Sequence, residues 1–174
     1  MSRNPAILVA GLLATFFIGV STPLARAPID PGGTSWVVVL KEKAKIKGLG
    51  SDRGTAVITV DVASDGMWSS VEVDDEGNTY HLSGSWWPIN NTKFRFEFDS
   101  STVATLESAY GDWASSEAGL DITVTITSIV ATAKFNRKLT KVTFKEKLIA
   151  AASASGFRPR AAKVKIKGRG TPDF

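Results

Sequence analysis

One short run constrains this chain more than any other. In Lys93-Phe94-Arg95-Phe96-Glu97-Phe98-Asp99, aromatic residues alternate strictly with charged ones. Successive side chains of a strand point to opposite faces of a sheet, so Phe94, Phe96 and Phe98 must share a face turned away from water. The pattern recurs along most of the chain. Trp36, Val38, Leu40, Ala44 and Ile46 alternate with Lys41, Lys43, Lys45 and Lys47, and Ala56, Ile58, Val60 and Val62 with Thr55, Thr59 and Asp61. Tyr80, Leu82, Gly84 and Trp86 make a further inner row, as do Leu120, Ile122, Val124 and Ile126. Val142 and Phe144 lie among Lys141, Thr143 and Lys145, and Ala162, Val164 and Ile166 among Lys163, Lys165 and Lys167. In the strand after the Ser64-Asp65-Gly66 turn, Met67, Val71 and Val73 read as the inner row, with Trp68, Ser70 and Glu72 outside.

These segments predict eight strands, at 35–47, 54–63, 67–73, 79–87, 92–99, 119–133, 139–149 and 160–169. A single amphipathic helix interrupts them. Asp99-Ser100-Ser101 offers caps, Val103, Leu106, Tyr110 and Trp113 recur at helical spacing, and Gly111 with Ser115-Ser116 should keep it short. Consecutive short strands joined by tight turns point to an all-β fold, an eight-stranded antiparallel up-and-down barrel, with a two-sheet β-sandwich as the alternative. A near-repeat favours closure. Lys43-Ala44-Lys45-Ile46-Lys47-Gly48-Leu49-Gly50 returns as Lys163-Val164-Lys165-Ile166-Lys167-Gly168-Arg169-Gly170. If the first and last strands pair antiparallel, both turn Lys outward and Ala44, Ile46, Val164 and Ile166 inward, and no edge is left free to recruit another chain.

The N-terminus reads as a secretory signal. Arg3 is followed by the uncharged, largely apolar run from Ala6 to Val20, then a polar stretch ending at Ala25-Arg26-Ala27. Cleavage after Ala27 would leave Pro28 first, which makes Gly19-Val20-Ser21 an alternative site. Two regions are therefore expected: a signal peptide at 1–27 and a barrel domain at 28–174. Export to a periplasmic or extracellular location follows, and the absence of cysteine suits a bacterial cell envelope. Without disulfides or thiolate metal sites, stability must come from apolar burial and sheet hydrogen bonds.

Charge is unevenly spread. Residues 51–121 sum to −10 and residues 122–174 to +10. On neighbouring strands, Lys43, Lys45, Lys47, Lys163, Lys165 and Lys167 would form one outer face, extended by Lys141, Lys145 and Lys147. Like charges on adjacent strands repel, and an anionic lipid or another anionic envelope component would relieve them. Export argues against nucleic acid as that anion. The alternation also allows an inverted arrangement, an outer-membrane barrel of eight strands ending in Phe174, with an apolar face on lipid and a charged lumen.

Signs of catalysis are few. His81 is the single histidine, with no acid evidently placed to orient it. No His or Cys cluster suits a metal, no glycine-rich loop precedes a helix, and Asp74-Asp75-Glu76-Gly77-Asn78 reads as a turn. No enzyme activity, cofactor or metal is expected. Two carboxylates interrupt inner rows: Glu42, in phase with Val38 and Ile46, and Glu146, in phase with Val142 and Phe144. A buried carboxyl needs a partner or a proton, so a register change putting both in solvent is expected. Failing that, they are the polar groups available to a cavity.

Asp65-Gly66-Met67-Trp68, Gly84-Ser85-Trp86 and Phe94-Arg95-Phe96, in an exported domain of eight strands and one helix, resemble bacterial lipocalin-like domains of the calycin type. That resemblance implies a barrel carrying a small apolar or amphipathic molecule such as a lipid. The inner aromatic residues Trp36, Tyr80, Trp86, Phe94, Phe96, Phe98 and Phe144 are the expected lining.

Overall fold

The computed structural model describes residues 27–48, 50–73 and 79–173. The predicted signal segment lies outside these except for Ala27, as do the 74–78 turn, Leu49 and Phe174. Eight strands follow one another in order: β1 (Thr34–Ile46), β2 (Gly50–Val62), β3 (Met67–Val73), β4 (Thr79–Asn90), β5 (Lys93–Phe98), β6 (Ile122–Phe135), β7 (Val142–Ala154) and β8 (Arg160–Pro172). Each pairs antiparallel with the next, and β1 pairs antiparallel with β8, so the sheet closes into the up-and-down barrel rather than a sandwich. One helix, α1 (Ser100–Ala118), is inserted between β5 and β6.

The closing seam has the predicted register. Lys41 is paired with Lys167, Lys43 with Lys165 and Lys45 with Lys163, all exposed, while Ala44, Ile46, Val164 and Ile166 are buried. Apolar rows thus face the interior and lysines face outward, the reverse of what a lipid-facing barrel requires.

Alternation alone cannot explain β6, because Ile122 and Val124 point inward and so do Ala131, Ala133 and Phe135, on the opposite parity. A register shift between Ile126 and Ser128 against β7 supplies the odd residue that changes phase. Leu120, expected in this inner row, lies before the strand and is exposed.

The phase of β3 is the opposite of that expected from the sequence. Val62 pairs with Trp68 and Val60 with Ser70, which puts Trp68 and Ser70 on the interior face. Trp68 is 6% exposed, whereas Met67 and Val71 are 47% and 45% exposed. Trp68 presents the larger apolar area, and its indole N–H finds an acceptor inside, the Glu97 carbonyl at 3.0 Å.

One end of the barrel is filled by aromatics. The Trp36 and Phe94 rings both meet Phe135 edge-on, at 5.0 and 5.6 Å, and Trp86 meets Phe94 at 5.4 Å. The polar edges of the tryptophans are satisfied there, Trp36 donating to Thr34 Oγ1 at 2.7 Å and Trp86 to the Ala63 carbonyl at 3.0 Å.

The helix serves the sheet as well as the core. β5 pairs with β6 only from Lys93 to Phe96, so the first half of β6 has no strand beside it there. Two α1 side chains take the place of a strand: Glu107 accepts from the Ile126 N–H at 2.7 Å and Ser115 Oγ from the Ile122 N–H at 2.9 Å. An exposed ladder edge is thereby capped. The Asp99 carboxylate caps the helix start, accepting from the Thr102 N–H and from the Ser83 hydroxyl, and these bonds lower its pKa to about 2. Gly111 and Ser115-Ser116, expected to keep the helix short, do not interrupt it: it continues through them to Ala118, with Gly119 as its left-handed C-cap. Gly111 is a point of close approach instead, since a Cβ there would sit 3.2 Å from the Ile122 carbonyl oxygen.

Candidate functional site

Between the aromatic end and the helix, the barrel encloses a cavity of about 450 Å³. Its apolar wall includes Val38, Leu40, Ile58, Trp68, Leu82, Phe96, Phe98, Phe144 and Ile166. Trp68 meets Phe98 edge to face at 5.1 Å and Phe96 meets Phe144 the same way at 6.0 Å, while Trp68 and Phe96 are tilted to each other at 5.8 Å. Such contacts hold the rings in place along the cavity wall.

The cavity has an edge as well as walls. β2 pairs with β3 only from Thr59 to Val62, so among the described residues Gly50 to Ile58 are held on one side alone, by β1. Gly54, Thr55, Ala56 and Val57 are consecutive and all border the cavity. Consecutive strand residues can line one space only where it reaches past the strand's edge, so this unpaired stretch of β2 is the cavity's rim.

A polar cluster shares this lining and begins beside the rim, where Glu42 is paired with Gly54. Glu42, Ser70, Glu72, Tyr110 and Glu146 all face the cavity. The register change expected to bring Glu42 and Glu146 into solvent does not occur: Glu42 keeps phase with Ala44 along β1, and Glu146, only 8% exposed, is in phase with Leu148. Burial raises the Glu42 carboxyl, and the charges of Glu72 and Asp52 add to this, while a hydrogen bond from the Tyr110 hydroxyl works the other way. Glu146 has no such relief. Burial, then the charges of Glu42 and Glu72, push it up to about 8, so it holds a proton at neutral pH. The Tyr110 hydroxyl in turn is raised well above 10 by burial and by the Glu42 and Glu146 charges, which keeps it a donor. Ser70 Oγ is buried with no hydrogen-bond partner.

The predicted lining divides in two. Phe96, Phe98 and Phe144 border the cavity. Trp36, Trp86 and Phe94 belong to the packed aromatic end, and Tyr80 packs against the core without bordering the cavity. Trp68, Ser70, Glu72 and Tyr110 border it and were not expected to. The first three came in with the reversed phase of β3. Tyr110 was visible in the helical stripe, but nothing local told which wall the stripe would meet. Among the described residues no group of three or more His, Asp or Glu could hold a metal ion. His81 is exposed and pairs with Val71.

On the outer wall the expected basic face is assembled. Lys167 lies between Lys41 and Lys145, and Lys165 between Lys43 and Lys147, across three adjacent strands. Lys163 pairs with Lys45, and Lys47, just past the end of β1, is exposed beside them.

Comparison with protein-family models finds no match for this chain, and neither does comparison with curated proteins. The fold therefore stands on its own geometry: an eight-stranded antiparallel barrel with one helix, compatible with a lipocalin-like fold.

Proposed function

We propose that this chain is a non-enzymatic, lipocalin-like binding protein that holds one small apolar or amphipathic molecule inside its barrel. The observation that carries this reading is the cavity. At about 450 Å³ it falls within the roughly 300–1,000 Å³ typical of small-molecule sites, and it combines a mostly apolar lining with a few converging polar groups. A barrel of eight strands is also about the size at which an interior passes from filled to ligand-holding. The N-terminal layout supports export, with binding taking place in the periplasm or outside the cell.

Native mass spectrometry after gentle extraction tests the reading directly. A co-purified amphiphile lost on substituting Leu82→Trp, which fills the cavity, is the expected result. A ligand-free protein that also fails to bind any added alkyl amphiphile would overturn it.

The lysine wall favours a second reading, in which the outer face docks on an anionic lipid surface. Eight lysines on three adjacent strands, with no acidic residue on the outward positions between them, form a broad positive field. Flotation with phosphatidylglycerol vesicles at low salt is the test. Binding that weakens with salt, and with the triple substitution Lys45→Glu, Lys163→Glu and Lys165→Glu, supports it. No binding by the unaltered chain at low salt removes it.

A further inference from the structure

The cavity's polar side is acidic, and none of the cavity-lining residues is a Lys, Arg or His. The basic residues are abundant, but the lysines of β1, β7 and β8 project from the outer wall, on the face opposite Glu42 and Glu146. Glu146 is buried in register with Ile166 and in phase with Leu148, and the charges that act on it are those of Glu42 and Glu72. Ser70 Oγ, on a residue only 2% exposed and in the same lining, is buried with nothing bonded to it. A buried polar atom left unpaired is destabilising, so Ser70 Oγ awaits a polar partner, and the crowded Glu42 and Glu146 carboxyls beside it would gain from a cation that the lining does not supply.

Building on the carrier reading above, we infer that the molecule held here carries a cationic head, an ammonium or amidinium group on an apolar body, with the head between Glu42 and Glu146 near Ser70. The geometry argues for an organic cation rather than a metal ion. Glu42 and Glu146 are both register partners of Ile166, so two strand spacings, about 10 Å, separate their backbones. That leaves room for a head group between the two carboxyls, whereas no set of acids among the described residues converges tightly enough for a metal. The apolar body has a place to lie against Trp68, Phe96, Phe98 and Phe144, whose rings also attract a cation through their faces. A fatty acid would meet the wrong charge. A neutral alcohol would satisfy Ser70 but offer no cation to Glu42 or to Glu146 once it ionises.

Binding should also respond to pH. The groups facing Glu146 are Glu42 from β1, Glu72 from β3 and Tyr110 from α1; its register neighbours Ala131 on β6 and Ile166 on β8 carry no charge. An alkylammonium stabilises the ionised form of Glu146 and should bind more tightly as pH rises from 6 to 8.

Calorimetric titration of the full chain with decylammonium, decanol and decanoate tests the inference. Decylammonium should bind at least tenfold more tightly than decanol, with decanoate weakest, and the ammonium preference should fall severalfold in Glu146→Gln and in Glu42→Gln. Decanol affinity serves as the control for folding and should survive both substitutions. If the three ligands bind alike, or decanoate is preferred, the cationic head is wrong and the carrier reading stands. If none binds, the carrier reading falls and the inference with it. An ammonium preference that survives both substitutions also overturns the assignment to these carboxyls.

Discussion

Glu42 and Glu146 flank Ile166 in one register row, entering the same level of the barrel from β1 and β7 on either side of β8. Their surroundings are not equivalent. Tyr110 reaches down from α1 to hydrogen-bond Glu42, while Glu146 receives only burial and the repulsion of neighbouring carboxylates. Two like residues at one level are thereby driven toward different protonation states, Glu42 the more readily ionised.

This asymmetry predicts how stability depends on pH. Glu146 titrates at about 8 in the folded chain against 4.5 as its ordinary value. Between those values the folded state holds a proton that the unfolded state has released, so stability falls as pH rises across that window and levels off above 8. The shift corresponds to a loss of up to about 5 kcal/mol. Glu146→Gln should remove most of that slope and raise stability at pH 8 and above. Urea unfolding at pH 5, 7 and 9 measures it; an unchanged slope in the variant would mean that Glu146 is not the titrating group.

Tyr110 gives a prediction of opposite sign. Tyr110→Phe removes the hydroxyl that stabilises ionised Glu42 but leaves the ring packed. Where Glu42 is ionised it should cost about 1.5–3 kcal/mol, the usual contribution of a hydrogen bond to a charged group. The cost should shrink near pH 4, where Glu42 is protonated in either protein. Thermal unfolding in these two protonation states separates this from a packing defect, which would cost the same in both.

Gly84 marks the tightest approach of any glycine among the described residues, between two strands that carry cavity-lining aromatics. It pairs with Trp68 on one side and Phe98 on the other, and a Cβ there would collide with the Glu97 carbonyl oxygen and lie 2.8 Å from Trp68 Nε1. These are the two atoms of the Trp68 hydrogen bond. Gly84→Ala should therefore destabilise by about 3 kcal/mol or more, since neither backbone nor a packed indole can yield cheaply. It should also shift the emission of the Trp68 indole. A variant with unaltered Tm would mean that β4 and β5 slide apart without cost.

What was legible in the sequence depended on whether one row of a strand clearly outweighed the other. On β5 the alternatives were phenylalanine or charge, and Phe94 and Phe96 are buried as the pattern requires. The β1–β8 seam could be read from the repeated lysine run for the same reason. On β3, Met67, Val71 and Val73 compete with a single Trp68, and period two cannot rank three medium residues against one large one. The ranking came from elsewhere in the chain, from the β2 register and the Glu97 carbonyl. Glu42 and Glu146 were in phase with the core, but local physics favours solvent for a carboxylate. The cavity and the Tyr110 hydroxyl, both tertiary features, are what make their inward position tolerable.

The lysine wall supplies the remaining prediction. Lys165 lies between Lys43 and Lys147, with both neighbours directly opposite in register. Like charges so placed disfavour a sheet by a few tenths of a kcal/mol per pair, and opposite charges favour it by a similar amount. Lys165→Glu converts two repulsive pairs into two attractive ones, so it should stabilise the barrel by about 1 kcal/mol at low salt, raising Tm by roughly 2–4 °C. Screening beyond about 10 Å at 0.1 M salt should reduce the gain as salt is added, most of it being gone by about 1 M. Lys138→Glu, in the turn between β6 and β7, should do much less. If the wall is a docking face for anionic lipid, Lys165→Glu must move two measurements in opposite directions, raising Tm and weakening vesicle binding. That would identify the repulsion as stability given up for a binding surface. A rise in Tm with vesicle binding unaltered, or absent from the start, would leave the lysines as a solvated outer face that keeps the barrel from associating.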